Sequence, residues 1–242
     1  AADDRQMLWL QYQLIKKISK EDPRINGSDL PPAIINLTDT CGTFAFDYQS
    51  IYSPSGLNPD YSGVMGLNNF DDSWGIWVHN LRKVLGDNVD KVYATIHGKT
   101  DDSQLCFSSE EMYRQIESYI VDNIGEKGSS RFVIAPDDTP YACTCASCTA
   151  MGNTEKNATP AVTELLLRLS QRFPKHSFFT ISYLSTKQVT DKQLPSNAGI
   201  IVSAIDFPLR RIDGKNAQEK KFMQQLNQWK KASKNTYIWD YI

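Results

Sequence analysis

Two adjacent carboxylates, Asp137 and Asp138, follow a short apolar run that stops at Pro136. Neighbouring like charges separate the proton affinities of such a pair, so one acid can hold a proton while its partner stays charged. Hydrolysis of a glycosidic bond asks for that division of roles. The plainer alternative is a turn, because Asp-Asp-Thr-Pro also suits carboxylates that accept backbone N–H bonds. Three of the five cysteines, Cys143, Cys145 and Cys148, stand within six residues just beyond. Tight thiolate spacing suits a soft metal such as Zn2+, with Cys106 the best fourth ligand. In an oxidising compartment the same four residues would make two disulfides, and a third reading leaves them as buried free thiols. Each reading is structural, an anchor for the loop beside the carboxylates. No pairing with a histidine is implied that would make one of them a nucleophile.

Further polar and aromatic groups stand at the ends of other apolar runs. Val92–His97 ends in His97-Gly98-Lys99, Phe178–Tyr183 ends in Tyr183, the run from Gly199 reaches Asp206, and Thr236–Tyr241 carries Trp239 and Asp240. His79 lies in Trp77-Val78-His79-Asn80, in the middle or at the start of an expected helix. A sugar ring offers apolar C–H faces and hydroxyl edges, which aromatics beside carboxylates match. Taken singly, Asp206 reads as a turn residue, Trp239 as core and His79 as a packed histidine. Their expected convergence at one rim gives them weight.

The elements that must place these residues alternate. Strands are expected at Ala33–Thr38, Val92–His97, Arg131–Ala135, Phe178–Tyr183, Gly199–Ala204 and Thr236–Tyr241. All are near-continuous apolar runs, the pattern of parallel strands covered on both faces. Helical spacing marks Met7–Ile18, with Leu10, Leu14 and Ile18 in steps of four, and Trp74–Leu85. Ser108 and Glu111 suggest a capping box at the start of a helix over Ser109–Ile124. Thr159-Pro160 reads as a cap and first-turn proline leading through Leu165 to Phe173. The last helix runs over 216–234, with Phe222, Leu226 and Trp229 on one face and lysines on the other.

Alternating strands and helices imply right-handed crossovers and a parallel sheet. The expected fold is α/β, a (β/α)8 barrel over 1–242 as one domain. Its first and last strands would be missing, with long loops at 39–73 and 137–159. An open doubly wound sheet of six strands is the alternative. Either fold keeps its site at the carboxyl ends of the strands. No glycine-rich phosphate loop follows any strand, so nucleotide binding has no support.

The chain has 242 residues, 40% hydrophobic and 22% charged, ordinary for a globular protein. Lys plus Arg is 26 and Asp plus Glu is 28, a formal net charge of −2, which argues against nucleic acid or an anionic membrane as main partner. No apolar run reaches the ~18–20 residues of a membrane span. The start, Ala1-Ala2-Asp3-Asp4, lacks the basic and apolar regions of a signal peptide, as a processed chain also would. The lysines of 215–234 are the solvated face of a surface helix, without the aromatic interleaving that binds bases. Asn26, Asn36 and Asn157 head Asn-x-Ser/Thr triplets of the kind that arise by chance.

Several ordered blocks resemble a bacterial family, the domain of unknown function 4838. They are Trp74–Leu81, Tyr93–Lys99, Ser103–Ser108, Pro136-Asp137-Asp138 with Cys143-x-Cys145-x-x-Cys148, Thr180–Tyr183 and Ile238–Tyr241. The resemblance runs from about Trp74 to the end. It implies a glycoside-hydrolase-like barrel within a larger exported bacterial protein, periplasmic, at the cell surface or extracellular, with flanking carbohydrate-binding domains. In that family the barrel continues past the Trp-Asp-Tyr block, which agrees with a missing last strand.

The reading that results is a glycoside hydrolase of complex polysaccharide or glycan. Asp138 is its general acid and Asp137 the charged neighbour or the group that orients a substrate substituent. Asp240, Trp239, Tyr183, His79 and His97 bind sugar. The adjacent acids also look like the substrate-assisted hexosaminidase pattern, in which a sugar acetamide is the nucleophile. No cofactor is required beyond a structural zinc held by the cysteines. The competing classes are a non-catalytic carbohydrate-binding barrel and a metal-dependent hydrolase.

Overall fold

The amino-terminal apolar repeat forms a helix, α1 (Asp4–Ser19), as its spacing predicts. The computed structural model describes residues 4–19, 44–208, 214 and 216–241, in two units, Ala1–Ser73 and Trp74–Ile242. The expected strand Ala33–Thr38, Cys41, Asn26, Asn36 and Lys215 lie outside the described residues. In the first unit α1 packs on α2 (Pro59–Val64), whose first amides bond to the Asn58 side chain. Leu10 and Leu14, expected in a buried stripe, are 51% and 41% exposed. A short helix, α3 (Phe70–Ser73), closes the unit.

The second unit carries the sheet. Its strands are β1 (Trp74–Ile76), β4 (Arg131–Val133), β5 (Ser177–Ser182), β6 (Ala198–Ser203) and β7 (Asn235–Trp239). They pair parallel in chain order, β1-β4-β5-β6-β7, with no reversal. Between β1 and β4 come α4 (Leu81–Leu85), a hairpin of β2 (Tyr93–Ile96) and β3 (Lys99–Leu105), and α5 (Glu110–Asn123). The later helices are α6 (Ala146–Ala150), α7 (Thr159–Arg172) and α8 (Ala217–Ala232).

One face of the sheet is covered by helices. Phe132, Ile134 and Phe178 join Met112 and Ile116 of α5 and Leu165 and Leu169 of α7 in a single core, while Ile200 and Val202 pack on Trp229 of α8. Side chains alternate along a strand, so Phe179, Ile181 and Tyr237 face the other way. There the Phe179 ring stacks on Tyr237 at 5.0 Å, and Trp74 meets Phe179 at 5.4 Å and Tyr237 at 6.4 Å. Trp74 and Tyr237 belong to the two edge strands. Four strand spacings would put those edges about 19 Å apart in a flat sheet. Their rings meet because the sheet curls, with the aromatic face concave.

The structure corrects several expectations. The parallel α/β sheet is as expected, but a (β/α)8 barrel is not shown: among the described residues five strands form a sheet open at β1 and β7. Val92–His97 is not a strand of the parallel sheet. His97 and Gly98 both adopt positive φ, 51° and 75°, which makes the two-residue turn that sends a chain back antiparallel. The edge beside β4 is taken by Trp74–Ile76, within the segment expected to be helical, and only Leu81–Leu85 of it is helix. At α5 the cap is Ser109, bonded to the Met112 amide, and Glu111 accepts instead from Gln115, so the Ser108 box does not form. At α7 Thr159 is the first helical residue and Ala158 occupies the cap position without a side-chain bond.

Gly199 lies where the Phe179 ring crosses β6. A Cβ there would sit 2.4 Å from Phe179 Cε1 and 2.5 Å from the Asn235 carbonyl oxygen, which is backbone and cannot swing away. Gly199→Ala is therefore expected to cost about 1–3 kcal/mol, read in urea unfolding as a lower midpoint at unchanged slope. Val121→Ala, on the exposed face of α5, should stay within about 0.5 kcal/mol.

Candidate functional site

Past β4 the chain runs buried through Ile134, Ala135 and Pro136 and reaches the surface at Asp137 and Asp138. A buried side chain that sequence reading passes over, Gln104 of β3, grips this exit. Its Oε1 accepts the Asp137 amide at 3.0 Å and the Leu105 amide at 2.9 Å. Its Nε2 donates to the carbonyls of Asp137 and Tyr141 at 3.4 and 3.2 Å. Every polar atom of the amide is used on the loop or its own strand, so the exit has a fixed path. Asn153 repeats the device further along, donating to the Cys143 carbonyl at 3.1 Å and accepting the Ala161 amide at 3.0 Å.

The Asp137 carboxylate is taken by Arg82 of α4, whose Nε and Nη2 lie 2.8 and 2.6 Å from Oδ2. Arg82 also donates to the Asp102 carbonyl on the hairpin. Asp138 is exposed, and its carboxylate stands close enough to the Tyr183 hydroxyl at the end of β5 to act on it electrostatically. Burial holds the Tyr183 phenol above its ordinary range, and the charge of Asp138, with Tyr241 and Asp206 facing it, adds to the effect. Tyr183 is therefore a protonated donor at neutral pH. His79 lies in the β1–α4 connection, before the helix expected to contain it. Its Nδ1 donates to the Pro136 carbonyl at 2.5 Å, since a carbonyl only accepts, which leaves Nε2 on the other side of the ring. The His79 and Tyr183 ring centroids are 6.2 Å apart.

Backbone strain flanks these groups. Val78, just before His79, has φ 51°, and Leu184, just after Tyr183, has φ 42°. Each such conformation costs on the order of 1–3 kcal/mol. Beside Tyr183 a cleft of about 380 Å³ is lined by Pro140, Lys156, Leu184, Lys187, Ile205 and Asp206, with Lys187 and Asp206 ion-paired.

His79, Asp137, Asp138, Tyr183 and Asp206 thus gather at one end of the sheet. His97 does not join them: it sits in the hairpin turn, where Nδ1 lies 3.3 Å from Glu155 and the ring faces Tyr141. Trp239 and Asp240 are at the carboxyl end of β7, Trp239 half-buried with its carbonyl accepting the Ala204 amide at 2.8 Å. Asp240 is exposed and accepts from the Tyr241 amide at 2.9 Å. Arg82 and Gln104 were not expected at the site. No local signal marks them, since Arg82 stands beside Lys83 in a stretch whose apolar residues keep helical spacing.

The four cysteines form a second cluster behind the loop. Their sulfurs all lie within 4.8 Å of one another. Cys106 Sγ is 3.7 Å from Cys145 Sγ and 3.8 Å from Cys148 Sγ. The Thr95 amide donates to Cys143 Sγ at 3.2 Å and the Cys148 amide to Cys145 Sγ at 3.5 Å. Contact with the Cys106 and Cys148 thiols holds Cys143 down to about 2, and the same contact with Cys143, with burial adding to it, pushes Cys106 up to about 11. Such a set of donors can hold a metal ion.

No curated protein matches the chain. Residues 65–242 match the family described as a domain of unknown function, DUF4838, and the chain belongs to that family.

Proposed function

We propose that this protein hydrolyses a glycosidic bond of a complex polysaccharide or glycan, at the carboxyl-end mouth of its parallel sheet. The position of His79, bonded to the Pro136 carbonyl and set against the Tyr183 ring beside the cleft, carries the reading, because it joins the loop after β4 to the end of the neighbouring strand β5. The curl of the sheet and the unreversed strand order support an arc of a (β/α)8 barrel, which places substrate at that end. In this reading Asp138 delivers the proton to the departing glycosidic oxygen as the bond to the anomeric carbon breaks. Tyr183 donates a hydrogen bond to substrate, and His79 offers its Nε2. A neighbouring acetamide of the sugar acts as nucleophile, its oxygen bonding to the anomeric carbon as the glycosidic bond breaks, and water then opens that cyclic intermediate and returns a proton to Asp138, as adjacent acids after a strand suggest. Asp137, neutralised by Arg82, orients rather than reacts. Trp239 and Asp240 extend the sugar-binding rim, and His97, in the hairpin turn, takes no part in it.

The reaction needs no cofactor. Zinc at the cysteines would be structural, since an all-thiolate set closes the coordination sphere that a catalytic zinc keeps open. Export from a bacterial cell and flanking carbohydrate-binding domains belong to the same proposal. One observation favours a second reading, a barrel that binds glycan without cleaving it: Arg82 occupies Asp137, so the adjacent acids are not two free carboxylates.

Release of reducing ends from a glycan panel separates the two. Wild-type protein is expected to release them, and Asp138→Asn to lose at least about 100-fold in kcat while still binding the glycan. Full turnover by that variant removes Asp138 from the acid role, and binding without release by the wild type selects the second reading.

The electrostatic influence of Asp138 on Tyr183 has its own check. An ordinary tyrosine ionises near ~10, and Tyr183 should do so at higher pH. Removing the neighbouring anion favours the phenolate, so in Asp138→Asn the Tyr183 midpoint should move down. Ultraviolet pH titration differenced against Tyr183→Phe measures it, and an unmoved midpoint would mean that the two groups do not meet.

A further inference from the structure

We propose that Cys106, Cys143, Cys145 and Cys148 bind one soft divalent cation of the zinc class as a closed tetrathiolate centre, and that this centre sets the path of the loop bearing Asp137 and Asp138. The geometry of the thiols points to it. A tetrahedral zinc with sulfur at about 2.3 Å has sulfur–sulfur edges of about 3.8 Å, and Cys106 Sγ lies 3.7 and 3.8 Å from the sulfurs of Cys145 and Cys148. A disulfide would bring two sulfurs to about 2.05 Å. Four thiols converging from two parts of the chain have no packing reason to point at one another. A cation that takes four thiolates gives them one.

The surroundings fit an anionic sulfur cage. Backbone amides of Thr95 and Cys148 already donate to Cys143 and Cys145. The Ser108 hydroxyl lies 3.0 Å from Cys148 Sγ, 3.4 Å from Cys106 Sγ and 3.6 Å from Cys145 Sγ. Such outer contacts orient ligands and spread their charge. Three of the four thiols are buried and Cys145 is half-buried, so the ion is screened from solvent yet reachable from one side.

The position of the centre gives it a role. Cys106 follows Gln104 by two residues, and Cys143 follows Tyr141 by two. Gln104 holds the backbone of Asp137 and Tyr141. The ion would therefore join β3 directly to the far end of the segment that Gln104 holds from the near end. The stretch from Asp137 to Cys143 becomes a bridge fixed at both ends, with Asp138 on its span.

The test uses the full chain with Cys41→Ser, so that the four thiols are the only ones. After exposure to Zn2+ under reductant and removal of excess, about one zinc per chain is expected by elemental analysis. Co2+ in its place should show the visible bands of a tetrahedral ion and thiolate-to-metal charge transfer. Cys145→Ser, at the most accessible ligand, should weaken Co2+ binding at least about tenfold. Below about 0.1 zinc per chain, with the thiols either free or oxidised in pairs, overturns the site. The positioning half is read by hydrogen exchange. A chelator should speed exchange of the Asp137 and Tyr141–Cys143 amides at least about tenfold while β5 and β6 keep theirs. Equal exchange in metal-loaded and metal-free protein overturns that half even if zinc binds. Neither readout depends on glycan cleavage.

Discussion

Trp74, Phe179 and Tyr237 touch only because the sheet is rolled, and most of what the molecule offers chemically follows from that roll. Rings on opposite edge strands approach within 6.4 Å, so the strands between them must fan around a common axis. The loops leaving their carboxyl ends are thereby gathered. Phe179 can lie across the concavity because β6 presents Gly199 beneath it. Dispersion between flat rings is weak per atom and substantial over whole faces. It acts at the narrowest part of the arc, where a change in curvature would separate the groups at the rim.

The convex side follows a different logic. Helices α5, α7 and α8 cover it with fully buried aliphatic and aromatic side chains, and no single contact there is special. The loop after β4 has little regular structure to satisfy its backbone, and buried polar side chains do that instead. Gln104 ties it to β3, and Asn153 ties it to α7. Arg82 closes the arrangement by neutralising Asp137 while reaching the hairpin. Rigid scaffolding and a precisely held loop are thus built from different materials, apolar volume in one case and hydrogen-bond geometry in the other.

The sequence was informative wherever local pattern decides structure. An apolar run broken by Pro136 marked the strand end that carries Asp137 and Asp138, and the run ending at Tyr183 marked its neighbour. Cysteine spacing identified the four clustered thiols, with Cys106 correctly joined to the triplet. What remained hidden depends on partners distant in the chain. Asp137 finds Arg82 across 55 residues and Gln104 across 33, and nothing in the neighbourhood of either residue announces the pairing. The run from Val92 to His97 misled for another reason. Ala94 and Ile96 are buried as parallel-strand residues would be, but direction is set by two dihedral angles at His97-Gly98, and His-Gly is a weak signal for that turn beside Asn-Gly or Asp-Gly. Trp74–Leu85 combined a three-residue strand with a five-residue helix, each too short to impose its own period.

The hairpin's second strand, Lys99–Leu105, reads as loop because Lys-Thr-Asp-Asp-Ser-Gln has almost no apolar character. That polarity has a use. On its outer flank β2 is occupied by the loop, which bonds to Thr95 through the Thr144 amide and hydroxyl, whereas β3 forms the border of a two-stranded ribbon. A ribbon border displays main-chain donors and acceptors that another polypeptide could zip onto. Charged residues placed along it make that zipping unfavourable. The feature that conceals the strand from pattern reading is also what guards the protein against intermolecular β-association at this flank.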